Sequence, residues 1–242
     1  MVTDEVWKLP AIVSRFLSYR EAIPLAHEQI GVMMSILRSS TQPLETFLDL
    51  GCGDGILGGA ILGAYPASRG VLVDFSETML EQAREQLKDY ASQLVLENLD
   101  YGDPGWVDRL QAYAPFDAIV SGYSIHHQPD GRKREIYEEI FSLLSAGGWF
   151  INIEHIAPAA QLATDLFNKQ IVEGYFRIEQ RRGGTRTREE MANVFMNRPD
   201  KEANTLLSVD VQCTWLREIG YQDVDCYFRI YELAVFAGRK PV

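Results

Sequence analysis

The 242-residue sequence has few cysteines, no long apolar run and no excess of basic residues. Cys52, Cys213 and Cys226 are widely spaced and form no CxxC pair, so neither a disulfide framework nor a zinc site is indicated. No apolar stretch reaches the ~18 residues of a membrane span, and the amino-terminal MVTDEVWKLP is acidic rather than signal-like. We therefore expect a cytoplasmic protein without a membrane partner. The net charge of −11 argues against nucleic acid as a partner.

Strand-like and helix-like patterns alternate through most of the chain. Apolar runs predict strands at 46–50, 70–75, 93–99, 116–123 and 148–156, and helical spacing predicts helices at 56–65, 76–91 and 131–148. Ser76 is placed as a helix N-cap, and Gly147 and Gly148 as the end of the third helix. This order predicts an α/β fold with a parallel sheet covered on both faces.

Both ends of the chain add further elements. Residues 5–38 and 157–205 are helical in pattern, and the last 22 or so residues predict two strands that reverse near Arg229–Tyr231. No repeat and no long linker interrupts the sequence. We therefore expect residues 1–242 to form one domain, with 5–38 and 157–205 as helices that cap the sheet.

The glycine loop in FLDLGCGDG follows the first predicted strand, and its residues restrict the class of ligand that can bind there. Its glycines have the spacing GxGxG, and Ile56 stands where the dinucleotide motif GxGxxG needs glycine. A pyrophosphate would meet Asp49 and Asp54, whereas a cationic ligand would be attracted to them. Asp74 ends the second strand, where an acid accepts ribose hydroxyls, and Asp100 follows the third, where it could accept an adenine amine. These acids predict an adenosine that carries a positive group.

Five motifs from Phe47 to Ile156 together resemble the class I S-adenosylmethionine-dependent methyltransferases: LDLGCGDG, VDFSETML, LDYGDP, FDAIVSGYSIHH and LLSAGGWFINIEH. The resemblance implies a Rossmann-like, doubly wound, mostly parallel seven-stranded sheet whose last strand is antiparallel. It also implies S-adenosyl-L-methionine as cofactor, S-adenosyl-L-homocysteine as product, and in-line methyl transfer to a small-molecule acceptor. It further assigns residues to the cofactor. Asp49, Gly51 and Gly53 would face the methionine amino end, Phe75 and Met79 would flank ribose and adenine, Tyr101 would neighbour adenine, and Ser121 and Tyr123 would lie beside the sulfur.

A second resemblance concerns the two ends of the chain. YREAIPLAHEQI and the tail follow the layout of the bacterial carboxy-S-adenosylmethionine synthases, which serve tRNA modification. It implies that Tyr19 and Arg20 help to close the cofactor site, with Arg20 a candidate for the methionine carboxylate. In that family a tail arginine pairs with the added carboxylate, and Arg186 or Arg188 stands near the corresponding place.

Histidines near strand ends are the candidate catalytic groups, because a base is needed when the acceptor carries a proton. His127 follows the fourth strand beside His126, and either could act as a base or simply pack the loop. His155 ends the fifth strand, where adjacent Glu154 could tune it as a base. The scattered spacing of these residues predicts no metal site.

The segment FRIEQRRGGTRTREE concentrates arginines in an otherwise acidic chain. It is interpreted either as a lid that brings arginines to an anionic acceptor or as a solvated loop. A tRNA-modifying enzyme and a non-catalytic cofactor-binding partner remain alternative functions. The sequence leaves open the acceptor atom, the use of a base, a homodimer, and whether the cofactor is plain or carboxylated.

Overall fold

A seven-stranded sheet forms the centre of the part of the chain that the structure describes. The computed structural model describes residues 4–242, so the first three residues of the predicted 1–242 domain lie outside the described residues. The strands are β1 (Thr46–Leu50), β2 (Arg69–Asp74), β3 (Leu94–Asn98), β4 (Phe116–Gly122), β5 (Leu144–His155), β6 (Gln222–Ile230) and β7 (Leu233–Arg239). They lie in the order β3-β2-β1-β4-β5-β7-β6. β7 is antiparallel to both neighbours, which confirms the predicted antiparallel last strand.

Helices cover the sheet and extend above it. They are α1 (Pro10–Tyr19), α2 (Ala26–Arg38), α3 (Ile56–Ala64), α4 (Glu77–Gln86), α5 (Trp106–Leu110), α6 (Asp130–Leu143), α7 (Gln161–Arg181), α8 (Arg188–Met196) and α9 (Val209–Ile219). Short 3-10 turns occupy Asp4–Lys8, Arg20–Ala22, Lys88–Gln93, Ile125–His127 and Pro199–Ala203. Within residues 4–242, no helix is both long and apolar enough to cross a lipid bilayer.

The two faces of the sheet bury separate apolar clusters, because successive residues of a strand point to opposite faces. Phe47 of β1 packs with Ile61 and Met33 from α3 and α2. Leu48, the next residue, packs in the other cluster with residues of α6 and α9 such as Tyr137 and Leu216. The doubly wound arrangement predicted for this sheet is therefore confirmed.

The predicted end of the third helix is wrong. α6 ends at Leu143, and Gly147 and Gly148 belong to β5, where the pairing with β4 is irregular between Phe116 and Ala118. Gly147 has φ +81°, and a Cβ at Gly148 would lie 3.0 Å from the Phe116 carbonyl oxygen, so both glycines serve the strand irregularity.

Ser76 is the N-cap residue of α4, as predicted, but its side chain does not cap the helix. Its hydroxyl donates to the Trp7 carbonyl oxygen at 2.7 Å and does not bond to a backbone N–H of α4. The hydroxyl thus connects the amino-terminal segment to the end of β2. The predicted helix at 76–91 is divided into α4 and the 3-10 turn Lys88–Gln93.

Close backbone contact joins the amino-terminal segment to α7. A Cβ added at Gly174 would lie 2.8 Å from the Ala22 Cβ and 3.1 Å from the Ala22 carbonyl oxygen. Beside this contact, the rings of Tyr19 and Tyr175 stack with their centroids 4.2 Å apart. Glycine at 174 therefore lets the turn Arg20–Ala22 pack directly on α7.

We expect Gly174→Ala to lower the free energy of unfolding by about 1–3 kcal/mol, because the added methyl must displace the turn Arg20–Ala22. Gly31→Ala is the matched control, since nothing lies within 4 Å of a Cβ at this position of α2. The control should gain up to about 1 kcal/mol from helix propensity. Urea unfolding measures both, and equal stability of the two variants would contradict the close packing.

Candidate functional site

A large cavity lies beyond the carboxyl ends of the parallel strands, where α/β sheets bind ligands. Its empty volume, counted with its open mouth, is about 1150 Å³. Loops after β1, β2 and β4 form its floor, and the end of β5 and the start of β7 close one side. The roof comes from the amino-terminal segment and from α7, α8 and the residues after α8.

The glycine loop and Asp74 form one part of this cavity. Gly51 and Gly53 have φ values of +68° and +55°, and a Cβ at Gly51 would overlap the Ser124 hydroxyl. The Asp74 carboxylate accepts the Gly53 N–H at 2.9 Å through one oxygen and the Ser76 N–H at 2.8 Å through the other. Each carboxylate oxygen keeps a lone pair that could accept a ribose hydroxyl.

Burial raises the pKa of Asp74 to about 6, and the N–H donors of Ser76 and Gly53 lower it in part. Phe75 and Met79 line the cavity next to it. These three residues stand where the motif resemblance places the ribose and adenine.

The amino-terminal segment covers the same end of the cavity. Tyr19 and Arg20 line it, and Arg20 forms an ion pair with Asp54 of the glycine loop. Trp7 also lines the cavity, and its ring packs against those of Phe16 and His127. The sequence analysis did not single out Trp7 or Phe16. The sequence signal that could have identified these two residues was an aromatic pair on the apolar face of the first helical segment.

Asp49 lies beneath the glycine loop and does not line the cavity. One of its carboxylate oxygens accepts the Gly58 N–H at 2.9 Å, and the other has no hydrogen-bond partner within residues 4–242. Burial raises the pKa of Asp49 to about 8. The sequence predicts that Asp49 faces the methionine amino end. In the structure its side chain does not take this position, because β1 directs it toward α3.

Three further predicted cofactor residues also lie outside the cavity lining, whereas Tyr123 lines it. Asp100 accepts the Gly102 N–H at 2.7 Å, so its carboxylate turns back on its own loop. The Ser121 hydroxyl donates to the Leu50 carbonyl oxygen at 2.8 Å. The Tyr101 hydroxyl lies 2.5 Å from the Ser124 hydroxyl, and Ser124 rather than Tyr101 lines the cavity.

Glu154 binds His126 and not the ring of His155. Its carboxylate oxygens lie 2.6 Å from the His126 Nδ1 and 3.0 Å from the His126 backbone nitrogen. Burial raises the pKa of Glu154 to about 7 and lowers that of His126 well below its usual value. The pairing of the Glu154 carboxylate with the His155 ring, expected from adjacency, is wrong because consecutive strand residues point to opposite faces.

His155 instead meets a carboxylate from the other end of the sequence. Its Nε2 lies 2.8 Å from a carboxylate oxygen of Glu232, at the turn between β6 and β7. Burial raises the pKa of Glu232, but hydrogen bonds from His155 and Thr164 act against this and leave the pKa below its usual value. His155 lines the cavity. Sequence reasoning missed Glu232 because only the pairing of β5 with β7 brings it to His155.

His127 lines the cavity next to His126, and the two ring centroids are 4.0 Å apart. Its Nδ1 lies 3.2 Å from the Ala203 carbonyl oxygen. Burial lowers the pKa of His127 to about 3. A neutral ring packed between the β4 loop and the cap agrees with the packing alternative for this residue.

The arginine-rich segment is held by acids and aromatic rings outside the cavity. Arg186 donates to Glu179 and to the Tyr19 hydroxyl, and Arg188 donates to Glu173. Neither arginine lines the cavity. The arginines that do line it, besides Arg20, are Arg15 on α1 and Arg198 after α8. The sequence signal that could have identified Arg198 was the pattern NRPD.

The comparisons with known proteins agree with this geometry. Residues 48–150 match a family model described as a methyltransferase domain. The carboxy-S-adenosyl-L-methionine synthase of Chromohalobacter salexigens is 25% identical over 91% of this chain and 78% of its own length. The demethylmenaquinone methyltransferase of Lactococcus lactis is 29% identical over 54% of this chain and 48% of its own length.

Solved structures show the same fold. An O-methyltransferase family protein from Burkholderia thailandensis superimposes with a TM-score of 0.63 at 14% identity. The match covers 90% of this chain and 57% of that protein, so the chain spans little more than half the length of this structural neighbour.

The matched domain, the sheet order and the glycine loop define the class. Residues 48–150 form a class I S-adenosylmethionine-dependent methyltransferase domain, with S-adenosyl-L-methionine as its cofactor. The residues present fit this cofactor. The Gly51 backbone leaves no room for a side chain, and the free lone pairs of Asp74 suit a diol.

We expect the affinity for S-adenosyl-L-methionine to fall as the pH drops below 6. The pKa of Asp74 is about 6, so below this pH the side chain is protonated and no longer offers the carboxylate that accepts the ribose hydroxyls. The fall should level off at the affinity of the protonated form, which Asp74→Asn imitates. Asp74→Asn should bind about 1.5–3 kcal/mol more weakly at pH 8. Its affinity should also be less dependent on pH. Calorimetric titration at several pH values measures this, and a flat wild-type profile would count against the ribose assignment.

Proposed function

We propose that the protein transfers the methyl group of S-adenosyl-L-methionine to a small-molecule acceptor bound between the sheet edge and the helical cap. One observation carries this proposal. A single cavity holds both the glycine loop with Asp74 and a carboxylate-paired histidine, His155. Residues 1–242 are proposed to act as one domain, with 5–38 and 157–205 as the cap that encloses the acceptor.

The bound cofactor supplies a methyl carbon already activated by a sulfonium. The protein therefore has to hold the acceptor in line with it and exclude water, which can account for most of the acceleration. The backbone of Gly51 and Gly53, the Asp74 carboxylate and the Met79 side chain are proposed to hold the adenosyl part. Tyr19 and Arg20 are proposed to close this end, with Arg20 exchanging Asp54 for the methionine carboxylate.

His155 is proposed as the general base for an acceptor that carries a proton. Glu232 accepts a hydrogen bond from the Nε2–H, which leaves the lone pair on Nδ1. When bound, the cofactor would supply the methyl carbon, and its sulfur would keep the electron pair of the broken carbon–sulfur bond. The acceptor proton moves to Nδ1, and Glu232 stabilises the resulting imidazolium. Glu154 acts one step away, because it positions His126 and the loop after β4.

A small and anionic acceptor fits the cavity better than RNA. Among the lining residues, Arg15, Arg20 and Arg198 supply three positive charges, and Asp74 and Asp200 supply two negative charges. The arginine segment, which motivated a tRNA substrate, is engaged with Glu21, Glu173, Glu179 and Tyr19. It therefore offers little free charge for a phosphate backbone.

A carboxy-S-adenosylmethionine synthase activity is the second candidate. The 25% identity over 91% of the chain supports it, since this match extends beyond the domain that methyltransferases in general share. Arg198 in the cavity would be the arginine for a carboxylate on the cofactor, in place of Arg186 or Arg188.

Native mass spectrometry of the purified protein tests these proposals together. Retained S-adenosyl-L-methionine or S-adenosyl-L-homocysteine would support methyl transfer, and an added mass of one carboxylate on the cofactor would favour the second candidate. The same spectrum tests the homodimer. If the purified protein retains no cofactor and added cofactor does not bind either, the proposed function is overturned.

We expect His155→Ala to lower turnover by about 10²–10⁴-fold with cofactor affinity unchanged, since it removes the proposed base. Glu232→Gln should lower turnover less and shift the pH profile, because the neutral amide stabilises the imidazolium less. The measurement is S-adenosyl-L-homocysteine formation with the best acceptor of a small-molecule panel. His27→Ala, on α2 and outside the cavity lining, is the control. Equal losses of turnover and cofactor affinity in His155→Ala would make His155 structural.

A further inference from the structure

Three charged side chains of the cap form a cluster on the cavity wall. Asp200 lies between two guanidinium groups: one carboxylate oxygen pairs with Arg15 of α1, and the other lies 3.1 Å from the Arg198 Nε. All three side chains are at least 70% buried, with exposed fractions of 27% for Arg15 and 13% for both Arg198 and Asp200. The cluster joins the amino-terminal helix to the end of the cap.

One carboxylate does not neutralise two guanidinium groups, so the cluster retains one positive charge among side chains that are at least 70% buried. Such a charge is costly unless a further partner approaches it. The guanidinium of Arg198 also has a donor to spare. Its Nε serves Asp200 and its Nη1 donates to the Phe195 carbonyl oxygen at 3.0 Å, while Nη2 has no partner within residues 4–242.

Apolar groups surround this charge. The Arg198 guanidinium lies over the Phe195 ring, 4.3 Å from its centroid. Phe167 and Ile171 of α7 line the same cavity and pack with Phe195 in one apolar cluster. A ligand that suits this end therefore combines an apolar body with one anionic group.

The amount of excess positive charge in the cluster determines which class of anion suits it. A carboxylate is a monoanion that matches the single excess charge and can accept a hydrogen bond from the spare Nη2 of Arg198. A phosphate monoester carries nearly two negative charges at pH 7 and would leave the cavity wall with an uncompensated negative charge.

We infer that the acceptor is an apolar carboxylic acid whose carboxylate binds Arg15 and Arg198, while a different group of the acceptor faces His155. The inference rests on the proposed function, because the same cavity must hold the cofactor. The carboxylate serves as a handle that orients the acceptor. Phe195 and Phe167 receive the apolar body between the handle and the reacting end.

Matched acids and amides test the inference without knowledge of the natural acceptor. The probes are 4-hydroxyphenylacetate, 3-phenylpropionate and octanoate, each paired with its primary amide, which has nearly the same shape but no charge. Binding is measured by calorimetry with saturating S-adenosyl-L-homocysteine. We expect at least one acid to bind at least about tenfold more tightly than its amide, the effect of a charge-assisted hydrogen bond.

Variants assign that preference to the cluster. Arg198→Gln should reduce the preference for the acid to less than about threefold, and Asp200→Asn should increase it because the excess charge rises to two. Because the two variants are expected to change the preference for the acid in opposite directions, the result separates a charge effect from damage to the fold. Arg188→Gln is the control, since Arg188 pairs with Glu173 outside the cavity lining.

The outcomes are distinguishable. If S-adenosyl-L-homocysteine binds but no acid binds, or acids and amides bind equally, the inference is wrong and the proposed function stands. An acid preference that Arg198→Gln leaves intact would also overturn it. If S-adenosyl-L-homocysteine itself does not bind, the proposed function fails.

Discussion

Two buried carboxylates at the ends of adjacent parallel strands determine the character of the cofactor site. Asp49 and Asp74 are at most 7% exposed, and their hydrogen-bond partners are the backbone N–H groups of Gly58, Gly53 and Ser76. Burial raises the pKa of both groups, since a charged carboxylate is costly there. A phosphate would increase that cost and a sulfonium would reduce it. The glycine loop contributes to this arrangement, because Gly53, with φ +55°, donates its N–H to Asp74.

The cavity has opposite charge at its two ends, and this separation suits methyl transfer. Asp74 stands at the end formed by the glycine loop, and Arg15 and Arg198 stand in the cap. A sulfonium cofactor and an acceptor with an anionic group would each find the complementary end, with the reacting atoms between them. His155 lies on the same wall, at the end of β5, where Glu232 directs its ring. In the proposed reaction the cap would orient the acceptor and exclude water at the same time.

Much of the fold was predictable because each strand and each amphipathic helix depends on local periodicity. The five parallel strands and the final hairpin were predicted within a few residues, and the resemblance to the methyltransferases supplied the doubly wound, seven-stranded sheet with its antiparallel last strand. The ends of elements were less predictable. Gly147 and Gly148 have the pattern of a helix end, yet they serve an irregularity of β5 because the neighbouring strand approaches their backbone. Ser76 has the pattern of an N-cap, yet its hydroxyl bonds to a segment 69 residues away.

The sequence by itself determined the cofactor end of the site, since the glycine loop, Asp74, Phe75 and Met79 lie within about 30 residues and local backbone geometry brings them together. Tertiary structure alone decided the acceptor end. The strand alternation that separates His155 from Glu154, and the antiparallel pairing that brings Glu232 to His155, depend on the completed sheet. Arg15 and Asp200 are 185 residues apart and meet only when the cap closes over the sheet. No local pattern encodes such contacts, because their stability arises from burial in the folded chain.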